Sequence, residues 1–224
     1  MKQTETPATE NNTYTCRQLV VNFDSSDRHN RPGKFYLVSG PSGVGKNTLL
    51  AFALARIKKV YYLPSITTRP LRPMEEQGNP YFFTTVEEFK KMIESNVFLE
   101  WKKIHNGNYY GTHLPTIQYA LENGYDLATD MDVLGCKDVR ERFPDHVVTI
   151  FIAPPNLDEL RLRLSKRDKD PAVTNKRLER VEMEMSHMQY YDYVVVNDHL
   201  EKAGKELVKI IQYHQQDPEE HRTK

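Results

Sequence analysis

A chain of 224 residues suits one core-bearing domain with a small inserted subdomain. Lys plus Arg and Asp plus Glu balance at 31 each, so no global field draws it to nucleic acid or an acidic membrane. Cys16 and Cys136 lack metal-ligand spacing, no apolar run nears the ~20 residues of a membrane span, and no apolar leader follows Met1. These features exclude a disulfide scaffold and imply a reduced, cytoplasmic chain.

Residues 1–33 read as a polar N-terminal extension. Its first stretch, MKQTETPATENNTYT, is a solvated tail. QLVVNF is an apolar patch expected as an extra strand, and DSSDRHNRPG is turn-forming punctuation. From residue 34 to 214 the pattern is that of one α/β domain. KFYLVS is a buried strand that runs directly into GPSGVGK, and TLLAFALARI continues with helical spacing. Residues 66–116 are rich in Thr, Tyr, Pro and Asn and read as a subdomain. Its short helix starts at Thr85-x-x-Glu88, with Phe89, Met92 and Ile93 on one face. YDLATDMD, VVTIFIA and YVVVN follow as apolar runs of the buried parallel kind, with helices between the last two. One helix carries Asn156 and Glu159 in capping-box spacing, with Leu157, Leu160 and Leu164 on a stripe; the next presents Leu178, Val181, Met185 and Met188 as core packing. Residues 215–224 read as a polar tail.

The loop carries the first chemistry. Gly40, Ser42, Gly43, Gly45 and Lys46 fit a phosphate cradle, in which glycines let backbone N–H groups turn inward and the following helix adds its positive end. Lys46 reaches the β- and γ-phosphates of ATP in such a loop. Asn47 stands where a hydroxyl normally helps to hold Mg²⁺; Thr48, one residue on, would contribute through a water. In SITTRPLRP, Arg69 and Arg72 lie three apart between prolines that stiffen the segment, and two guanidinium forks suit a phosphate dianion. Arg163 and Arg167 are four apart on one helix face, and Arg177 follows; residues from about 163 to 178 read as an arginine-bearing lid.

GPSGVGK, TTRPLRP, FLEW, GNYYGT, APPNLDEL and YDYVVVND, in that order over roughly residues 34–214, resemble the guanylate kinase family. The resemblance implies a P-loop nucleoside monophosphate kinase fold: a parallel sheet flanked by helices, a small GMP-binding subdomain and a lid. It implies transfer of the γ-phosphoryl group of MgATP to GMP, and to dGMP. Arg69, Arg72, Tyr81 and Tyr110 would bind the GMP phosphate. Glu100 would accept from the guanine N1–H and amine, Ser65 and Thr112 would face the carbonyl side, and Asp130 would lie near the base and reacting phosphates. Lys46, Arg163, Arg167 and Arg177 would carry the transfer, in a monomer or homodimer.

Four features depart from the family pattern: Asn47, Leu134 in place of a Gln, one extra residue between Glu100 and Tyr110, and a short segment between Arg167 and Arg177. Two other readings stand beside the kinase. One is a catalytically weak or inactive interaction module, against which the intact donor loop argues. The other is a kinase for a phosphorylated sugar, against which Glu100 and GNYYGT argue.

Overall fold

The computed structural model describes residues 19–104, 107–167 and 171–216, the side chains of 167 and 171–177 excepted. The chain runs β1 (Phe35–Ser39), α1 (Lys46–Leu54), β2 (Val60–Tyr62), β3 (Ser65–Thr67), β4 (Glu76–Gln77), β5 (Pro80–Phe83) and α2 (Val86–Glu94). It continues with β6 (Phe98–Lys103), β7 (Tyr109–His113), α3 (Leu114–Glu122), β8 (Asp126–Asp130), α4 (Val133–Arg142) and β9 (Val147–Ala153). It ends with α5 (Leu157–Arg167), α6 (Pro171–Ser186), β10 (Tyr193–Val196) and α7 (Leu200–Gln215). Two compact units result, one around Ser65–Pro115 and one around Val21–Pro64 and the chain from Thr116 onward.

The larger unit holds a five-stranded sheet in the order β10-β9-β1-β8-β2, every pair parallel. Parallel strands covered by helices on both faces need apolar side chains at successive positions. Accordingly Phe35, Tyr36, Leu37 and Val38 are all fully buried, as are Ile150, Phe151 and Ile152. Leu49, Leu160, Leu164, Leu207 and Ile211 bring the helices onto the same core. α5 begins as its capping box predicts, the Glu159 amide donating to Asn156 Oδ1 at 2.7 Å, but Leu157 in its first turn stays half-exposed. α6 stops at Ser186, so Met188 lies in a separate 3₁₀ turn and not on the helix. The Ser186 hydroxyl and the His187 ring both hydrogen-bond the Met183 carbonyl at 2.8 Å, where the next helical amides would compete.

The described residues of QLVVNF, 19–23, form no strand. The chain bends at Val20 and Val21, and Phe23 stacks on Tyr125 at 4.8 Å and meets Tyr61 edge-on at 4.9 Å. An aromatic anchor of this kind fixes a segment without ladder hydrogen bonds. The polar residues that follow are tied down as well. Arg31 grips the fully buried Asp126 with two bonds of 2.9 and 2.8 Å, and the Lys34 amide donates to the same carboxylate at 2.8 Å. A carboxylate taken wholly out of water is tolerated only with such a set of partners.

The smaller unit is a mixed sheet in the order β4-β5-β3-β7-β6. Thr85 caps α2 by accepting from the Glu88 amide at 3.1 Å, and Phe89 on its buried face stacks on Phe98 at 4.4 Å. His113 ends β7 fully buried, and burial pushes its imidazole down to about 4. The unfolded chain therefore binds a proton that the folded one refuses between pH 6.5 and about 4, and stability falls as pH drops through that window. Replacing His113 with Gln removes this dependence. Urea titrations of both proteins at pH 7 and pH 5 are expected to show the wild-type advantage shrinking by about 2 kcal/mol. An unchanged gap overturns the assignment.

Candidate functional site

The donor loop joins β1 to α1. Gly40 and Gly45 have φ of 134° and 100°, in the left-handed region that side chains rarely adopt. A Cβ on Gly40 would stand 2.2 Å from the Ile152 carbonyl oxygen, and one on Gly45 would stand 2.7 Å from Asn197 Nδ2. Both positions thus require glycine. The Lys46 ammonium folds back over the loop, donating to the Gly40 carbonyl at 2.7 Å and the Pro41 carbonyl at 3.2 Å. Burial pushes this ammonium below its ordinary value, and the carboxylates of Glu184 and Asp130 oppose that.

Several side chains hold the loop from outside. Asn197, just past β10, donates to the Val44 carbonyl at 2.7 Å. Arg163 on α5 binds Glu159 at 2.9 Å and the Asn197 carbonyl at 3.1 Å, which sets its guanidinium beside that strap. The Ser42 amide donates to Glu184 on α6 at 3.2 Å. Of the expected lid residues, the side chains of Arg167 and Arg177 lie outside the described residues.

Asp130 ends β8 next to this loop. Its Oδ1 accepts from Asn47 Nδ2 at 3.3 Å and from the Tyr62 hydroxyl at 3.4 Å. Burial raises its carboxyl, against the pull of Lys46 and these two donors. Asn47 and Thr48 are exposed on the first turn of α1. Asp132 caps α4 by accepting from the Gly135 amide at 2.9 Å, and Leu134 is half-exposed.

Of the residues expected to bind GMP, all but Asp130 lie in the smaller unit. Arg69 is only 8 % exposed and meets Glu75 fork to fork at 2.9 and 2.8 Å; Glu75 also takes the Arg72 amide at 2.9 Å. The Arg69 hydrogen bonds hold the Glu75 carboxyl below the usual range. The guanidinium lies 5.2 Å from the Tyr81 ring, and Tyr81 meets Tyr110 edge-on at 5.6 Å. Ser65 pairs with Tyr81 in register across β3 and β5. On the β6–β7 ladder Glu100 faces Thr112, whose hydroxyl donates to the carboxylate at 2.7 Å. A register shift between Phe98 and Glu100 precedes the pair, and a bulge of this kind re-aims the side chain that follows. Tyr109 packs on Phe89 at 5.3 Å and Trp101 at 6.1 Å, an ordinary packing position. Arg72 is exposed.

Reading the sequence missed Glu75, Glu184 and Asn197. Glu75 carried a signal, three residues after Arg72 in the same stiff loop. Glu184 and Asn197 act on residues 142 and 153 positions away, and no local pattern marks them.

A parallel sheet whose strand runs through a glycine-rich loop into a helix, with a lysine closing the loop, defines a P-loop nucleotide-binding protein. The guanylate kinase family profile matches residues 32–214. A guanylate kinase of Haemophilus influenzae is 43 % identical over 183 residues, covering 80 % of this chain and 88 % of that protein. A guanylate kinase of Bacteroides thetaiotaomicron is 37 % identical over 193 residues, covering 86 % and 94 %. The crystal structure of guanylate kinase from Anaplasma phagocytophilum superposes with a TM-score of 0.65 at 29 % identity, covering 84 % of this chain and 89 % of that one. The chain belongs to the guanylate kinase family.

Proposed function

We propose that the chain transfers the γ-phosphoryl group of MgATP to GMP, giving ADP and GDP, and accepts dGMP as well. The observation that carries this reading is the donor loop, with Gly40 and Gly45 in conformations only glycine tolerates and Lys46 already folded onto it. An interaction module has no use for so costly a turn.

In this reading Gly40, Ser42, Gly43, Gly45, Lys46, Asn47 and Thr48 bind ATP, and Arg69, Arg72, Tyr81 and Tyr110 bind the GMP phosphate. Glu100 reads the guanine N1–H and amine, with Ser65 and Thr112 on the carbonyl side and Asp130 at the reacting end. A GMP phosphate oxygen bonds to the γ-phosphorus as the bond to the β–γ bridging oxygen breaks. That oxygen is already anionic, so no general base is needed. Lys46, Arg163, Arg167 and Arg177 offset charge on the transferring group, and catalysis is positioning plus electrostatics. The local donors fit Mg²⁺, a hard cation that keeps most of its waters: the Asp130 carboxylate would offer it an oxygen and Thr48 a contact through water, while Asn47 turns its amide nitrogen toward that carboxylate. When bound it supplies charge neutralisation across the phosphates. A reducing cytoplasm suits the buried thiol of Cys136, and we place the protein there.

The test is ADP release with MgATP and each of GMP, dGMP, AMP and CMP. Turnover with GMP and dGMP and background rates with AMP and CMP are expected. Tight GMP binding with no turnover on any of the four would establish an interaction module instead.

A further inference from the structure

One carboxylate beside the donor loop takes no part in the transfer described above. Glu184 on α6 is 6 % exposed, although a carboxylate is almost never buried without a purpose for its charge. Its Oε2 accepts from the Ser42 amide at 3.2 Å, while Oε1 stands 3.8 Å from Arg180, one turn back on the same helix. Of the acidic groups around Lys46, which also include Asp130 from β8 and Asp132 and Cys136 at the start of α4, Glu184 pulls on the ammonium most strongly. α6 is itself anchored one turn earlier by Val181, which is buried in the core of the sheet.

A loop whose glycines adopt left-handed conformations has little shape of its own, because glycine loses more freedom on ordering than any other residue. Such a cradle needs outside ties to keep its N–H groups aimed. Asn197 supplies one at the Val44 carbonyl, and Glu184 supplies another at the Ser42 amide. The Glu184 bond is charge-assisted, and so the stronger kind. We propose that Glu184 is a positioning residue for ATP, fixing the Ser42 segment of the donor loop to α6 so that the loop meets the phosphates already formed. This rests on the reading of the loop as the ATP site, and it gives α6, the helix that also carries Arg177, a second role through a residue that touches no substrate.

Glutamine keeps the volume and an acceptor oxygen; alanine removes both. Glu184→Ala is expected to weaken ATP binding, measured calorimetrically without GMP, by about tenfold, because the loop must then be ordered at the moment of binding. The KM for GMP is expected to stay within about twofold, since nothing on the acceptor side is touched. Glu184→Gln should regain most of the affinity, and Glu182→Ala, on the exposed side of α6, should bind ATP like wild type. Exchange of the Ser42 amide proton should speed up in the alanine variant and slow again in the glutamine variant. Wild-type ATP affinity with unchanged Ser42 exchange in Glu184→Ala would overturn the proposal. So would equal losses toward ATP and GMP with no rescue by glutamine, the mark of general unfolding. If the wild-type protein turns over no GMP, the kinase reading fails, while ATP affinity still decides the role of Glu184.

Discussion

Lys46→Ala is expected to lower kcat at least about a thousandfold, a loss of roughly 4 kcal/mol in transition-state stabilisation. The ammonium lies largely buried at the mouth of the loop, where it has exchanged water for the Gly40 and Pro41 carbonyls. Those two bonds hold it within reach of any phosphate that enters, and a charge desolvated in advance acts more strongly on the reacting group than one in water. Lys46→Arg is expected to rescue little. A planar fork does not replace a compact ammonium in a loop whose glycines leave no room for adjustment at Ile152 and Asn197. GMP affinity should be unchanged in both variants. Retention of a tenth of the wild-type kcat by Lys46→Ala would remove this residue from the transfer.

The parts of the fold that were legible in the sequence are those set by neighbours along the chain. β1 and β9 announce themselves as apolar runs because both faces of an inner parallel strand are buried; β10 is as apolar in sequence, but as the edge strand it leaves Val194 and Val196 exposed. The donor loop is legible because its conformation admits so few residue types at fixed spacing. α7 was overlooked although Ala203, Leu207 and Ile211 fall on one buried stripe with Lys and Glu between them, the pattern of an amphipathic helix. The packing of residues 21–33 was illegible for a different reason. Arg31 and Asp126 are 95 positions apart, and each alone looks like a solvated surface charge. QLVVNF misled through composition: Val20 and Val21 are buried at a bend and Phe23 is held by aromatic contacts, without strand pairing. In the candidate site the residues proposed to meet substrate stood out, since phosphate and guanine chemistry demands particular side chains. The residues behind them did not, because any hydrogen-bonding group at the right distance serves. Glu75 behind Arg69 and Asn197 behind Val44 are of this kind.

Glu100→Gln is expected to cut kcat/KM for GMP by about three orders of magnitude while changing that for IMP far less, so that the preference between the two purines collapses. Guanine offers two donors on one edge, N1–H and the exocyclic amine, and a carboxylate accepts both. A glutamine has one acceptor oxygen, and its amide nitrogen must face the second donor, leaving two buried donors opposed. IMP lacks the amine, so it has only one donor to lose. Thr112 is part of the same device. Its hydroxyl holds Glu100 Oε1 at 2.7 Å across the ladder, fixing the plane of the carboxylate before substrate arrives. Thr112→Ala removes an orienting bond but no acceptor, and is expected to cost only about tenfold, consistent with one hydrogen bond to a charged group. The ordering of the two variants is the discriminating result. If Thr112→Ala lowers the GMP-to-IMP ratio as far as Glu100→Gln does, the carboxylate depends wholly on this hydroxyl for its aim; if neither moves the ratio, guanine is recognised elsewhere and the Glu100 assignment falls.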